Sequence, residues 1–181
     1  KSLKEHGFNV AFHTWGMPDE ADLEAAQKLG LYVLPEVGAP DDATLERYVA
    51  LANRFNNVLM WYGIDEPSGE RLQRAMDAHA RYARLDPHRP VSAAINQPRL
   101  AADALRAYDL LMMDPYFIRH APLSGIADWI DEGLAAGKGL APIWMVPQAF
   151  TVDGSPWSEP TPAELRCQAY LCLARGATGL V

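Results

Sequence analysis

Positive charge is scarce in this sequence. Sixteen lysines and arginines face 23 aspartates and glutamates, for a formal net charge of −7. That balance argues against a general nucleic-acid surface or an anionic-membrane surface and suits a neutral or cationic small substrate. Cysteine is nearly missing too: only Cys167 and Cys172 are present. They lie five apart in an apparent helix, so their side chains diverge; no mutual disulfide is expected, and both read as small buried hydrophobes. No apolar stretch approaches the roughly 20 residues that span a bilayer. No Gly-x-Gly-x-x-Gly follows any apolar run and there is no P-loop, so no nucleotide cofactor is implied. His13, Glu36, Asp65, Glu66 and Asp114 are metal-ligand types, but without a His-x-His pair or a Glu-x-x-His cluster no metal is expected. Ser92 and Ser124 lack the strand–turn–helix context of a nucleophilic serine. Since the chain starts at Lys1, any targeting segment would lie outside this window, and the compartment stays open.

What is present is an ordinary globular composition, 49% hydrophobic and 22% charged. It suffices for one well-filled core, so residues 1–181 are expected to form a single domain. Short apolar runs alternate with longer helical patterns. The runs are 8–13, 31–36, 58–64, 91–95, 110–114, 142–148 and 179–181. Helices are predicted at 19–29, 42–55, 69–85, 98–108, 123–136 and 161–175. Gly30 stops the first of these; Thr161, Pro162 and Glu164 make a capping box with proline at the first helical position of the last. The run Arg71, Arg74, Arg81 and Arg84 reads as a solvated outer face.

Strands alternating with helices of this length mean βαβ units and a parallel sheet. Either a doubly wound open sheet or a (β/α)₈ barrel lacking one unit fits that pattern. Polar residues close nearly every run: His13 and Trp15, Glu36, Asp65 and Glu66, Asn96 and Gln97, Asp114 and Tyr116, and Gln148. Catalytic groups drawn from many strand ends are the habit of the barrel, which is the better reading. The most informative of these ends is Val58-Leu-Met-Trp-Tyr-Gly-Ile-Asp65-Glu66-Pro67. A run apolar on both faces stops at two carboxylates and a proline that cannot continue a ladder. The bland alternative makes Asp65 and Glu66 turn residues ahead of a helix, where acids suit the dipole.

From these residues the chain resembles the clan A glycoside hydrolases, (β/α)₈ enzymes whose acid/base glutamate ends the fourth strand. The clan's fourth strand typically closes with Asn-Glu-Pro, and here it closes with Asp65-Glu66-Pro67. Lys4-Glu-His-Gly-Phe-Asn9-Val resembles the phrase leading into the clan's second strand, and Leu29-Gly-Leu-Tyr-Val-Leu34 the entry into its third. Pro160-Thr-Pro-Ala-Glu164, with Gly176-Ala-Thr-Gly179 after its helix, resembles bacterial carbohydrate-active barrels. The resemblance implies an incomplete TIM barrel holding about strands two to eight, with the upstream strand of the same barrel as a structural partner.

It also implies hydrolysis of O-glycosidic bonds in a carbohydrate substrate, with Glu66 as general acid/base. Asp65 would contact the sugar hydroxyl beside the anomeric carbon, and Tyr116 would orient the nucleophile. His13, Trp15, Asn96, Gln148 and Trp157 are the further substrate-binding candidates, aromatic faces complementing the apolar face of a pyranose. Trp61 and Trp129 are assigned to packing. The clan's nucleophile is a glutamate ending strand seven, where this chain has Gln148, and an amide cannot form the glycosyl-enzyme ester. Three readings stand open. Asp114 or Glu36 partners Glu66; an inverting or substrate-assisted route replaces the covalent step; or the barrel binds carbohydrate without cleaving it. A barrel enzyme of unrelated chemistry is the remaining class.

Overall fold

The structure, a computed structural model, describes residues 2–155 and 157–181. The chain divides into two compact units, Lys1–Ala93 and Ala94–Val181. In both units helices alternate with strands and every strand pairing is parallel, so the class is α/β.

The first unit runs α1 (Ser2–Glu5), β1 (Val10–His13), α2 (Glu20–Lys28), β2 (Tyr32–Pro35), α3 (Asp42–Ala52), β3 (Trp61–Tyr62), α4 (Glu70–Leu85) and β4 (Val91–Ser92). β1 pairs with β2 from Val10 opposite Tyr32 to His13 opposite Pro35, and β3 pairs with β4. Single bridges from Val33 to Val58 and from Glu36 to Tyr62 join the two pairs. The helices start where side chains satisfy their first amides: Asp19 accepts from the Asp22 N–H at 2.9 Å, and Asp41 from the Thr44 N–H at 2.8 Å. α2 stops at Gly30, whose φ of +66° costs a glycine little.

The core of this unit holds Leu23, Leu34, Leu45, Trp61 and Tyr82, all but sealed from solvent. Each large apolar side chain so buried contributes about 1.5–3 kcal/mol. Trp61 also needs a partner for its indole N–H, which donates to Asp86 Oδ2 at 3.0 Å. Arg89 neutralises that buried carboxylate at 2.8 Å and donates to the Ala52 carbonyl at 2.9 Å. α4 buries Leu72, Ala75, Ala78 and Tyr82 at helical spacing. Its arginines lie on an exposed face, as their spacing suggests, and make surface contacts there. Arg84 and Arg81 reach Asp42 at 2.6 and 3.9 Å, and Arg71 donates to the Asp65 carbonyl at 2.8 Å.

The second unit runs β5 (Ala94–Ile95), a 3₁₀ turn (Pro98–Leu100), α5 (Ala101–Ala104), β6 (Leu111–Met113), α6 (Gly125–Ala136), β7 (Ile143–Met145), α7 (Pro162–Ala174) and β8 (Gly179–Leu180). Its sheet has the order β5-β6-β7-β8. Met112, Met113, Ile143 and Met145 fill its interior. A Cβ on Gly133 of α6 would stand 2.9 Å from the Met113 methyl and 3.0 Å from Ile143, so that helix lies hard against β6 and β7. α7 opens with the expected capping box: Thr161 Oγ1 accepts from the Glu164 N–H at 3.2 Å, and Glu164 Oε2 from the Thr161 N–H at 2.7 Å.

The structure departs from the sequence-based expectations in four places. The run 91–95 yields two separate strands, β4 and β5, with Ala93 in neither. The helix expected over 98–108 shrinks to a 3₁₀ turn and one four-residue helix. Neither has a side-chain cap, and short uncapped helices are marginal. Sheets of two, two and four strands form among the described residues, short of the barrel expected. Cys172 is buried, which pushes its thiol up to about 11 by desolvation, but Cys167 is exposed and not the buried hydrophobe expected. Among the described residues, no helix is long and apolar enough to cross a membrane.

Candidate active site

In the first unit, the residues after β1, β2 and β3 carry the polar groups, and main-chain bonds tie these strand ends together. The Glu36 N–H donates to the His13 carbonyl, and the Gly16 N–H to the Glu36 carbonyl, both at 2.8 Å. Val37 and Gly38 donate to the Tyr62 carbonyl at 2.9 and 3.1 Å. His13, Glu36 and Glu66 are half-buried and Asp65 is exposed. His13 Nδ1–H donates to the Gly16 carbonyl at 3.2 Å, which leaves Nε2 for other partners. Glu66 sits at φ +42°, a left-handed conformation that non-glycine residues seldom adopt and that concentrates at functional turns. Trp15, at φ +67° and 92% exposed, has no packing role to explain it.

The turn that carries Glu66 is stapled from both sides. Tyr62 Oη donates to Asp65 Oδ1, and Arg71 grips the Asp65 carbonyl from the first turn of α4. Asp65, expected at the sugar, therefore holds its own strand's tyrosine with one carboxylate oxygen. Sequence reasoning missed Tyr62 and Arg71 as supports. The spacing of three between Tyr62 and Asp65 across a strand-ending turn was the available signal.

In the second unit, Asn96 is exposed after β5, and Asp114 is buried after β6 with its N–H 3.4 Å from the Ile95 carbonyl. Tyr116 packs edge-on against Phe150 and Trp157, with ring centroids 4.9 and 6.1 Å away. Trp129 meets Phe117 edge-on at 5.6 Å, in keeping with its packing role.

Gln148 has a different job from the sugar contact expected of it. It is fully buried. Its Oε1 accepts from the Ile118 N–H at 3.2 Å, and its Nε2 donates to the Ser158 carbonyl at 2.9 Å. Its main chain exchanges two bonds with the amide of Gln168 on α7, at 3.1 and 3.0 Å. Every polar group of Gln148 is thus spent inside the fold, where an unpaired amide would be costly.

Beside it, residues 151–155 and 157–162 together with Arg119 line an open cleft of about 600 Å³. Glu164, at the base of this loop, is held below the usual carboxylate range by the Thr161 N–H, then by the Thr161 hydroxyl and more weakly by Arg119. No group of three histidine, cysteine or acidic side chains among the described residues is arranged to hold a metal ion.

By sequence, no family profile and no curated protein matches the chain. Solved structures do. A β-D-glucuronidase of Dictyoglomus thermophilum is 17% identical, with a TM-score of 0.71 over 98% of this chain and 38% of that one. A GH2 β-galacturonidase from Eisenbergiella tayi, bound to galacturonate, is 17% identical, with a TM-score of 0.74 over 98% and 37%. A Bacteroides uniformis β-glucuronidase 2, covalently bound to cyclophellitol-6-carboxylate aziridine, is 15% identical, with a TM-score of 0.75 over 99% and 26%. The chain has a fold found in glycoside hydrolases, and it spans about a quarter to two fifths of the length of these enzymes.

Proposed function

We propose that the chain is the greater part of a (β/α)₈ barrel of a glycoside hydrolase, with Glu66 as general acid/base. The observation that carries this reading is the stapled turn after β3. It presents a half-buried carboxyl group from a left-handed residue beside the ends of β1 and β2. The likeness to glycosidases over nearly the whole chain supports it. In this reading Glu66 protonates the glycosidic oxygen as the bond breaks, and Glu36 from the neighbouring strand end is the first choice for the second carboxylate. His13 and Trp15, at the end of β1 on the same unit, are the sugar contacts in this reading. β1 pairs only with β2 among the described residues, and its other edge would receive the barrel's first strand.

Uronosides belong in the substrate panel because the solved relatives are glucuronidases and a galacturonidase. The test is Glu66→Gln, assayed on aryl glycosides with good and with poor leaving groups. Loss of the acid should cost roughly 10²–10⁴-fold on poor leaving groups and much less on good ones. Full activity of the folded variant on a poor leaving group removes Glu66 from the chemistry. A second reading, a barrel that binds carbohydrate without cleaving it, is favoured by one observation: Gln148 stands where the clan keeps its nucleophile, and its amide is consumed internally. Sugar binding with no turnover on the whole panel would select that reading.

A further inference from the structure

The open cleft of the second unit combines features that the acid/base chemistry does not use. Residues 151–155 and 157–161 are in no helix or strand before α7, yet their own bonds brace them. Thr151 Oγ1 donates to the Trp157 carbonyl at 3.0 Å, Ser155 Oγ donates to the Val152 carbonyl at 2.7 Å, and the Trp157 N–H donates to Ser155 Oγ at 3.2 Å. Tyr116 and Phe150 wedge the indole of Trp157 edge-on, yet 39% of the residue stays exposed. A rigid aromatic ring left half in water invites a ligand with an apolar face. Across the cleft, Arg119 holds a left-handed backbone at φ +62°.

Gln148 links the two walls. Its side chain binds the N–H of Ile118, next to Arg119, and the carbonyl of Ser158, next to Trp157. One buried amide thereby ties the main chain next to Arg119 to the main chain next to Trp157. Two carboxylates, Asp153 and Glu159, also line the cleft. With two acids against one guanidinium, the lining repels an anion. It offers both donors and acceptors to vicinal hydroxyls, and a volume of about 600 Å³ accommodates a small ligand.

We propose that this cleft is a binding subsite for a neutral pyranose, with Trp157 as its platform, Arg119, Asp153 and Glu159 as its hydroxyl partners, and Gln148 as the positioning residue behind it. The proposal rests on the carbohydrate reading above and names the sugar class that this part of the protein takes.

The experiment is titration calorimetry of the 181-residue chain with cellotriose, mannotriose, xylotriose and trigalacturonate, backed by activity assays on the same sugars. At least one neutral trisaccharide should bind. Trp157→Ala should weaken it roughly tenfold, Trp157→Phe should restore most of the affinity, and Arg119→Ala should weaken it severalfold. Trigalacturonate should bind more weakly than the neutral sugars. Because Arg119 is exposed, its variant reports on the cleft even if Trp157→Ala loosens the loop. If neutral trisaccharides bind or are cleaved and Trp157→Ala and Arg119→Ala leave their affinity unchanged, the subsite falls and the carbohydrate reading stands. If trigalacturonate binds tighter than every neutral sugar and Arg119→Ala abolishes that binding, the neutral assignment falls. If none of the sugars is bound or cleaved, the subsite falls, and the carbohydrate reading falls with it if the aryl glycosides and uronosides are not bound or cleaved either.

Discussion

After β3 the chain turns through Glu66 in a left-handed conformation and leaves that carboxyl group only half-buried. After β7 it passes through Gln148, fully buried, with both ends of its amide bonded to the protein's own main chain. In the sequence these two ends look alike: an apolar run closed by polar residues flanking or flanked by proline. The difference lies in where the hydrogen bonds go. The support after β3 falls on Asp65, while the support after β7 falls on Gln148 itself. A polar residue closing a core strand belongs to the fold where, as at Gln148, its own polar atoms are all bonded to the protein.

That contrast predicts opposite responses to mutation. Glu66→Gln should lose two to four orders of magnitude in rate on poor leaving groups, with unfolding free energy changed by no more than about 0.5 kcal/mol. Gln148→Glu should do the reverse. It removes the donor to Ser158 and buries a carboxylate against a carbonyl, costing about 3 kcal/mol in denaturant unfolding with no gain of activity. If Gln148→Glu raised turnover at unchanged stability, the two ends would be functionally alike after all.

Tyr62→Phe sharpens the comparison on the β3 side. Loss of the hydroxyl's bond to Asp65 should cost about 1–2 kcal/mol and lower kcat more than it raises KM, because it disturbs the turn under Glu66. Asp65→Asn retains an acceptor for Tyr62 and should be tolerated better than Asp65→Ala in the same assays.

The smallest effect belongs to the α7 cap. Thr161→Ala should cost about 1 kcal/mol by thermal unfolding. The pH dependence has a definite sign. Glu164 has a lowered pKa in the folded state, so its contribution is present above its ordinary value of 4.5 and disappears as pH falls through the depressed folded value. Thr161→Ala loses the hydroxyl's bond and keeps the main-chain N–H, so that acid-side loss of stability should become shallower without vanishing, as read from melting curves below pH 4.5.

The α/β class, the parallel pairing and most helices could be read from the sequence because period and capping are local signals. Thr161 and Glu164 declare their helix three residues apart. The Asp65-Glu66 turn could be found because an apolar run stops there abruptly. The job of Gln148 could not, since its partners Ile118, Ser158 and Gln168 stand 10 to 30 residues away. The exposed face of the α4 arginines could be read from the sequence, but their partners could not. Spacing along a helix tells which residues share a face, but not that Asp42 lies within reach of Arg81 and Arg84. Cys167 and Cys172 looked equivalent, and only packing separates them.

That separation makes the two thiols a clock for the second unit. At neutral pH an alkylating reagent should consume exposed Cys167 first. Cys172, out of reach and held as the protonated thiol, should wait for α7 to lift from its neighbours. The interval between the first and second mass increments then measures how often that helix opens under native conditions, with no label added to the protein beforehand.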